Sequence, residues 1–188
     1  GGSVIAGTRA KKERSKSYNA FSSINYPQIA VIQDDRIVFY IDDKGQRKAP
    51  LSFCQKLNDR VFLLKLIPGT GGSVLEALAS SYDAFIIESF GVGGFPDYGD
   101  GSFRRAIARC LAAGKPIIMA TQVTHEGSDM TIYQVGKVLK DEFHLLESYD
   151  MTLEATVAKT MWCLGQTSDY AEFRRLFYTT VNHDILFA

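Results

Sequence analysis

The chain has 188 residues, 46% of them apolar and 22% charged, and its 21 basic and 21 acidic side chains cancel to a net charge of zero. That length and composition exclude a disordered or disulfide-stapled peptide and fit one globular domain with an extension. A neutral chain gives no electrostatic reason to expect nucleic acid or an acidic membrane as a partner, and no apolar run approaches the roughly 20 residues of a membrane-spanning helix.

Residues 1–28 are polar, with Arg9, Lys11, Lys12, Arg14 and Lys16 clustered. A stretch of this kind reads as an interdomain linker or arm, its basic cluster in solvent. The start, Gly1-Gly2-Ser3, lacks a methionine; the expectation is a piece of a longer protein, with those three residues a cleavage remnant. Residues 29–188 are expected to form one α/β domain. It opens on a hairpin over 29–42, where Ile29-Ala30-Val31-Ile32 and Arg36-Ile37-Val38-Phe39-Tyr40-Ile41 are strand formers and Gln33-Asp34-Asp35 supplies the turn. Asp42 to Lys48 reads as a polar turn.

From about residue 60 strands and helices alternate. Val61 to Ile67 is a nearly continuous apolar run, the pattern of a strand buried on both faces. Ser73 and Glu76 have capping-box spacing ahead of a helix that turns Val74, Leu75 and Leu78 inward. Asp83 to Ser89 is a second buried strand. Ser102 is placed to cap the next helix, with Phe103, Ile107, Cys110 and Leu111 facing the core, Arg104, Arg105 and Arg109 in solvent, and Gly114 and Pro116 ending it. Ile117 to Thr121 is a third strand. Two helices follow, one carrying Leu153, Val157, Met161 and Leu164 before Gly165, the other capped by Asp169 with Phe173, Leu176 and Phe177 as its apolar face. This order predicts a three-layer αβα fold around a small parallel sheet.

Ligands of open parallel sheets sit beyond the carboxyl ends of the strands, which here are the loops Pro68–Gly72, Phe90–Gly101 and Gln122–Asp129. The first has phosphate-loop glycines without the lysine a Walker loop needs, since Val74 follows Ser73; a strand-to-helix turn explains it better. The second has five glycines in twelve residues and reads equally as a recognition loop or a long connection. The third holds Thr121, Gln122, Thr124, His125, Glu126 and Asp129, so His125 is an acid–base candidate set against a plain solvated loop. Three scattered histidines give no metal site. Asp97 and Asp100 are paired loop carboxylates of ordinary solvated type. Cys54, Cys110 and Cys163 are odd in number and unclustered; Cys110 and Cys163 read as buried small hydrophobes, and a reducing, cytoplasmic setting fits. No nucleophile with a positioned base is visible.

Several segments together resemble one family. Gly7-Thr8-Arg9-Ala10-Lys11-Lys12 and Tyr18 to Pro27 are similar to the stretch joining the two domains of bacterial cytoplasmic-type L-asparaginases. Ile67-Pro68-Gly69, Ser89-Phe90-Gly91-Val92-Gly93-Gly94, Thr121-Gln122 and Asp150-Met151-Thr152-Leu153-Glu154-Ala155-Thr156 resemble further segments, in the right order. The resemblance implies the C-terminal domain, with its linker, of a homo-oligomeric enzyme that hydrolyses asparagine to aspartate and ammonia with no cofactor. It implies that the threonine nucleophile, in a T-G-G-T segment, and its partners lie in an N-terminal domain, so this chain holds no catalytic residue. Thr70-Gly71-Gly72 echoes that segment but follows the wrong strand. Glu88, Gly94, Thr121, Gln122 and His125 are the residues expected near substrate or effector. Gly94 stands where the family pattern has asparagine. Glu88 stands where regulated members carry arginine, which implies a parent without asparagine-driven cooperativity. A binding or assembly module with no hydrolase attached, and a relative acting on glutamine or a misacylated tRNA, are the other readings.

Overall fold

The computed structural model describes residues 2–42, 52–96 and 99–187. Most of the expected turn after Asp42, and the carboxylate of Asp97, lie outside the described residues. In chain order the elements are β1 (Ser3–Val4), a 3-10 turn (Gly7–Arg9), β2 (Ala10–Lys12), β3 (Phe21–Ser23), β4 (Ala30–Gln33) and β5 (Arg36–Phe39). Then come β6 (Val61–Lys65), α1 (Ser73–Leu78), β7 (Ala84–Ser89), α2 (Ser102–Ala112), β8 (Ile117–Thr121), α3 (Gln134–Phe143), β9 (Leu146–Glu147), α4 (Leu153–Gln166) and α5 (Tyr170–Tyr178).

The centre is a parallel sheet in the order β6-β7-β8-β9. All six residues of β7 are buried, because it lies inside the sheet with helices on each side. Alternation sends Phe85 and Ile87 into one core with Leu75, Phe103, Ile107 and Leu139, and Ile86 into another with Cys163, Phe173 and Phe177. Thus α1, α2 and α3 cover one face and α4 and α5 the other, the expected three-layer αβα architecture. The hairpin also forms as expected, with Gln33 paired to Arg36 and Asp34 in the left-handed region at φ 53°.

Several details differ from the sequence expectation. The run from Val61 is an edge strand, so Leu63 and Ile67 are exposed rather than covered on both faces. Ser73 and Ser102 cap nothing: the N-caps are Gly72 and Gly101, without side-chain bonds. Glu76 pairs with Arg109 instead, and Asp100 Oδ1 accepts the Ser102 N–H at 2.8 Å. That bond holds the Asp100 carboxyl below its ordinary range. The helix α3 and strand β9 were not anticipated; the N-cap of α3, Tyr133, makes no side-chain bond, and β9 has only two residues.

In α4 the deepest side chains are Thr156, Lys159, Thr160 and Cys163, while Leu153, Val157, Met161 and Leu164 are only partly covered. Nor does Gly165 end the helix. It lies inside α4, where a Cβ would meet Lys56 O at 2.3 Å.

The basic cluster near the start is solvated only in part. Lys12, Arg14 and Lys16 are exposed, but Arg9 is fully buried. Its Nη1 donates to Asp150 O at 2.6 Å, its Nη2 pairs with Asp150 Oδ2 at 2.7 Å, and its Nε donates to His183 O at 2.5 Å. A guanidinium is tolerated in the interior only with fixed acceptors of this kind. Thr8 O and Asn25 add bonds to Thr152 and Asp150, so the arm lies fastened across the end of α4.

Candidate functional site

The carboxyl ends of β6, β7 and β8 converge where the sequence placed the site. Gln122, just past β8, reaches across the other two strands: its Nε2 donates to Leu66 O at 2.6 Å and to Glu88 O at 3.0 Å. Thr121 Oγ1 donates to Gly91 O and accepts from Val123 N, tying the third loop to the second. Ser89 Oγ donates to Ala120 O at 2.6 Å. These bonds fix the strand ends in one plane.

Glu88 is nearly buried at this edge, with Lys65 Nζ 3.5 Å away. Glu88, Thr121 and Gln122 line one small cavity together with Lys11 and Asn25 of the arm and Thr152. Its volume is about 30 Å³, and most of the side chains around it are polar.

The third loop is held by backbone bonds. Glu126 N donates to Asn25 Oδ1, Ser128 N to Tyr149 O and Asp129 N to Val92 O. Gly127, at φ 78°, is required there, since a Cβ would lie 2.4 Å from Tyr149 O. Bonds from the Thr131 hydroxyl and amide hold the Asp129 carboxyl below its ordinary range. His125 is exposed and has no hydrogen-bond partner among the described residues, a solvated loop position away from the cavity lining. The described residues bring no group of metal-ligating side chains together.

Gly94 does not line the cavity either. It closes a tight turn with Phe90 in which each amide donates to the other's carbonyl. Gly93, at φ 146°, packs on Met130. This part of the second loop is a compact turn. In the first loop, a Cβ on Gly72 would lie 2.3 Å from Ser102 O, so the glycine is explained by close approach of α1 to α2.

Sequence reasoning missed the arm's contribution. Lys11 and Asn25 reach the cavity because Arg9 anchors the arm, and an arm read as solvated gives no reason to look there. Ser128 Oγ, buried beside this loop without a partner among the described residues, carried no signal in sequence.

A model of the glutaminase/asparaginase C-terminal domain matches residues 60–177. The chain belongs to this family. The match covers the sheet and the helices through α5, while the arm and the hairpin precede it. Over 97% of its length the chain is 35% identical to an L-asparaginase from Thermococcus kodakarensis, of which it covers 54%. Over 93% of its length it is 32% identical to a glutamyl-tRNA(Gln) amidotransferase component from Metallosphaera sedula, of which it covers 39%. The chain thus spans about half or less of the length of these relatives.

Among solved structures, the thermostable L-asparaginase of Thermococcus kodakarensis matches all of this chain with 56% of its own, at a TM-score of 0.89 and 33% identity. L-asparaginase I of Vibrio cholerae matches with a TM-score of 0.87 at 21% identity, a likeness of fold. The first of these matches extends over the entire chain, the arm included.

Proposed function

We propose that this chain is the C-terminal part of an L-asparaginase-like amidohydrolase that converts asparagine to aspartate and ammonia. In this reading residues 1–28 join it to a preceding part that carries a threonine nucleophile, and residues 29–188 supply contacts between neighbouring subunits and one wall of the substrate site. The observation that carries the reading is the 35% identity to an L-asparaginase over 97% of this chain but only 54% of that enzyme. A small, polar cavity at the strand ends fits a rim that needs a second surface opposite it. Glu88, Thr121 and Gln122 form that rim, and Gln122 holds the strand ends in place. Gly94 and His125 contribute as neighbouring loop positions.

Glu88 places a carboxylate, already matched to Lys65 at 3.5 Å, where capture of a second carboxylate needs a free cation, so the complete enzyme is expected to obey a hyperbolic rate law in asparagine. A sigmoidal curve made hyperbolic by Glu88→Gln would refute that part of the reading. The 32% identity to an amidotransferase component favours one alternative, an enzyme that takes ammonia from an amide for transfer on tRNA. The neutral charge of this part provides no phosphate-binding footprint. Ammonia release by the complete protein separates the two: asparagine alone suffices in the first reading. Dependence on glutamine and glutamyl-tRNA(Gln) would support the second.

A further inference from the structure

Strand β9 carries one side chain that a covered sheet face does not ordinarily accept. Glu147 stands opposite Met119 in the register and is fully buried. An apolar residue would fill this position without the cost of desolvating a charge. The carboxylate is instead fully bonded. Its Oε2 accepts from Lys140 Nζ of α3 at 2.6 Å, and its Oε1 accepts the Met130 N–H at 2.8 Å. Lys140 Nζ also donates to Tyr149 Oη at 3.1 Å, and the Glu147 amide donates to Tyr178 Oη at 2.9 Å. Burial works to lower the Lys140 ammonium pKa, but the bonds to Glu147 and Tyr149 outweigh it and hold the pKa above the ordinary range. The pair is therefore charged at neutral pH.

Met130 is where this pair meets the strand-end loops. Its side chain is buried, and a Cβ on Gly93 of the second loop would lie 2.9 Å from Met130 Cγ. A Cβ on Gly136 of α3 would lie 2.7 Å from Met130 O. The adjoining Asp129 amide donates to Val92 O at 2.7 Å. The second and third loops thus lean on one residue, whose buried amide needs an acceptor. Glu147 supplies it from outside the cavity lining.

We infer that Glu147, with Lys140 as its counter-ion, is a positioning residue for substrate binding, setting the two loops against each other through the Met130 amide. The inference rests on the reading of the strand ends as one wall of an amidohydrolase site. It adds a residue that acts on that wall from behind. With the nucleophile in the preceding part, a displaced wall should weaken binding more than the chemical step.

Two double variants form the test, because both remove the ion pair and they differ only in the acceptor left for Met130. Glu147→Leu with Lys140→Met fills the space with apolar atoms and offers none; Glu147→Gln with Lys140→Met keeps an oxygen. In the 188-residue chain, the leucine variant should speed hydrogen exchange of the Met130 amide by about 10-fold or more, and the glutamine variant should leave it slow. In the complete protein, the leucine variant should raise KM for asparagine about 10-fold with kcat changed less than about twofold, and the glutamine variant should restore KM. Should the leucine variant not fold, Glu147→Gln alone, whose amide meets Lys140 donor to donor, should raise KM, and adding Lys140→Met should remove the rise. Unchanged Met130 exchange overturns the inference whether or not the complete protein hydrolyses asparagine. Equal KM in the two double variants also overturns it, since the pair would then serve the fold alone. A complete protein inactive on asparagine, with Met130 exchange as expected, would instead overturn the reading of the site and the binding role with it.

Discussion

The two faces of the central sheet are held by different physics. On the face covered by α1, α2 and α3, Phe85, Ile87, Ile117 and Met119 meet Leu75, Phe103, Ile107 and Leu139, apolar against apolar, with one buried carboxylate, Glu147, paired to Lys140 at the β9 end. The face under α4 and α5 mixes Ile86, Ile118 and Phe177 with a buried polar set. Arg9–Asp150 and Lys159–Asp184 are ion pairs whose four side chains are no more than 4% exposed. The first face is specified by volume and area, which are non-directional. The second is specified by fixed donors and acceptors, and these join segments far apart in sequence. Asp150 alone receives Arg9 from the arm and the amides of Leu186 and Phe187 from the tail.

The largest expected effect lies on the polar face. Arg9→Ala leaves the Asp150 carboxylate buried without its cation, and urea unfolding should show a loss of about 3–5 kcal/mol. Replacing both members, as Arg9→Met with Asp150→Leu, should recover part of that loss; a double variant worse than the single would mean that the pair itself stabilises the fold. On the apolar face, Ile107→Ala should cost about 2–5 kcal/mol through a cavity beneath α2, measured in the same way. If the Arg9 variant lost less than the Ile107 variant, the contrast between the faces would weaken.

A smaller effect separates the faces by pH. Burial pushes the Tyr178 phenol from 10 up to about 12. The folded state therefore keeps this proton after the unfolded chain would lose it. Its contribution is complete below pH 10 and vanishes as the pH rises through about 12. Tyr178→Phe should remove that portion of the alkaline loss of stability, with Ile107→Ala leaving it intact. Burial likewise raises the Cys163 thiol to about 12, so thiol titration of the folded chain should find Cys54 alone reactive. The smallest effect is at the surface: Asp169 Oδ1 accepts the Glu172 N–H at 2.7 Å, and Asp169→Ala should cost about 0.5–2 kcal/mol.

The same contrast explains what the sequence makes legible. Helix α2 and strands β7 and β8 can be read from periodicity because their buried residues are the apolar ones. Helix α4 misleads: its buried stripe includes Thr156, Lys159 and Thr160, satisfied by bonds to Thr152 O, Thr179 O and Thr156 O, which a hydropathy pattern does not register. Arg9 fails for the same reason, since nothing in a local run of lysines and arginines singles out the one whose partner lies 141 positions away. For the candidate site, the strand-end loops were readable from glycine and polar residues. The cross-strand reach of Gln122 and the entry of Asn25 depend on tertiary placement, which no local pattern records.

The decisive experiment measures ammonia from asparagine with this chain by itself, purified to constant background, beside the complete protein. Release by the complete protein and none above blank by the chain is the expected result. Persistent release by the chain alone would contradict the division of labour proposed above, because a nucleophile would then have to exist within these 188 residues.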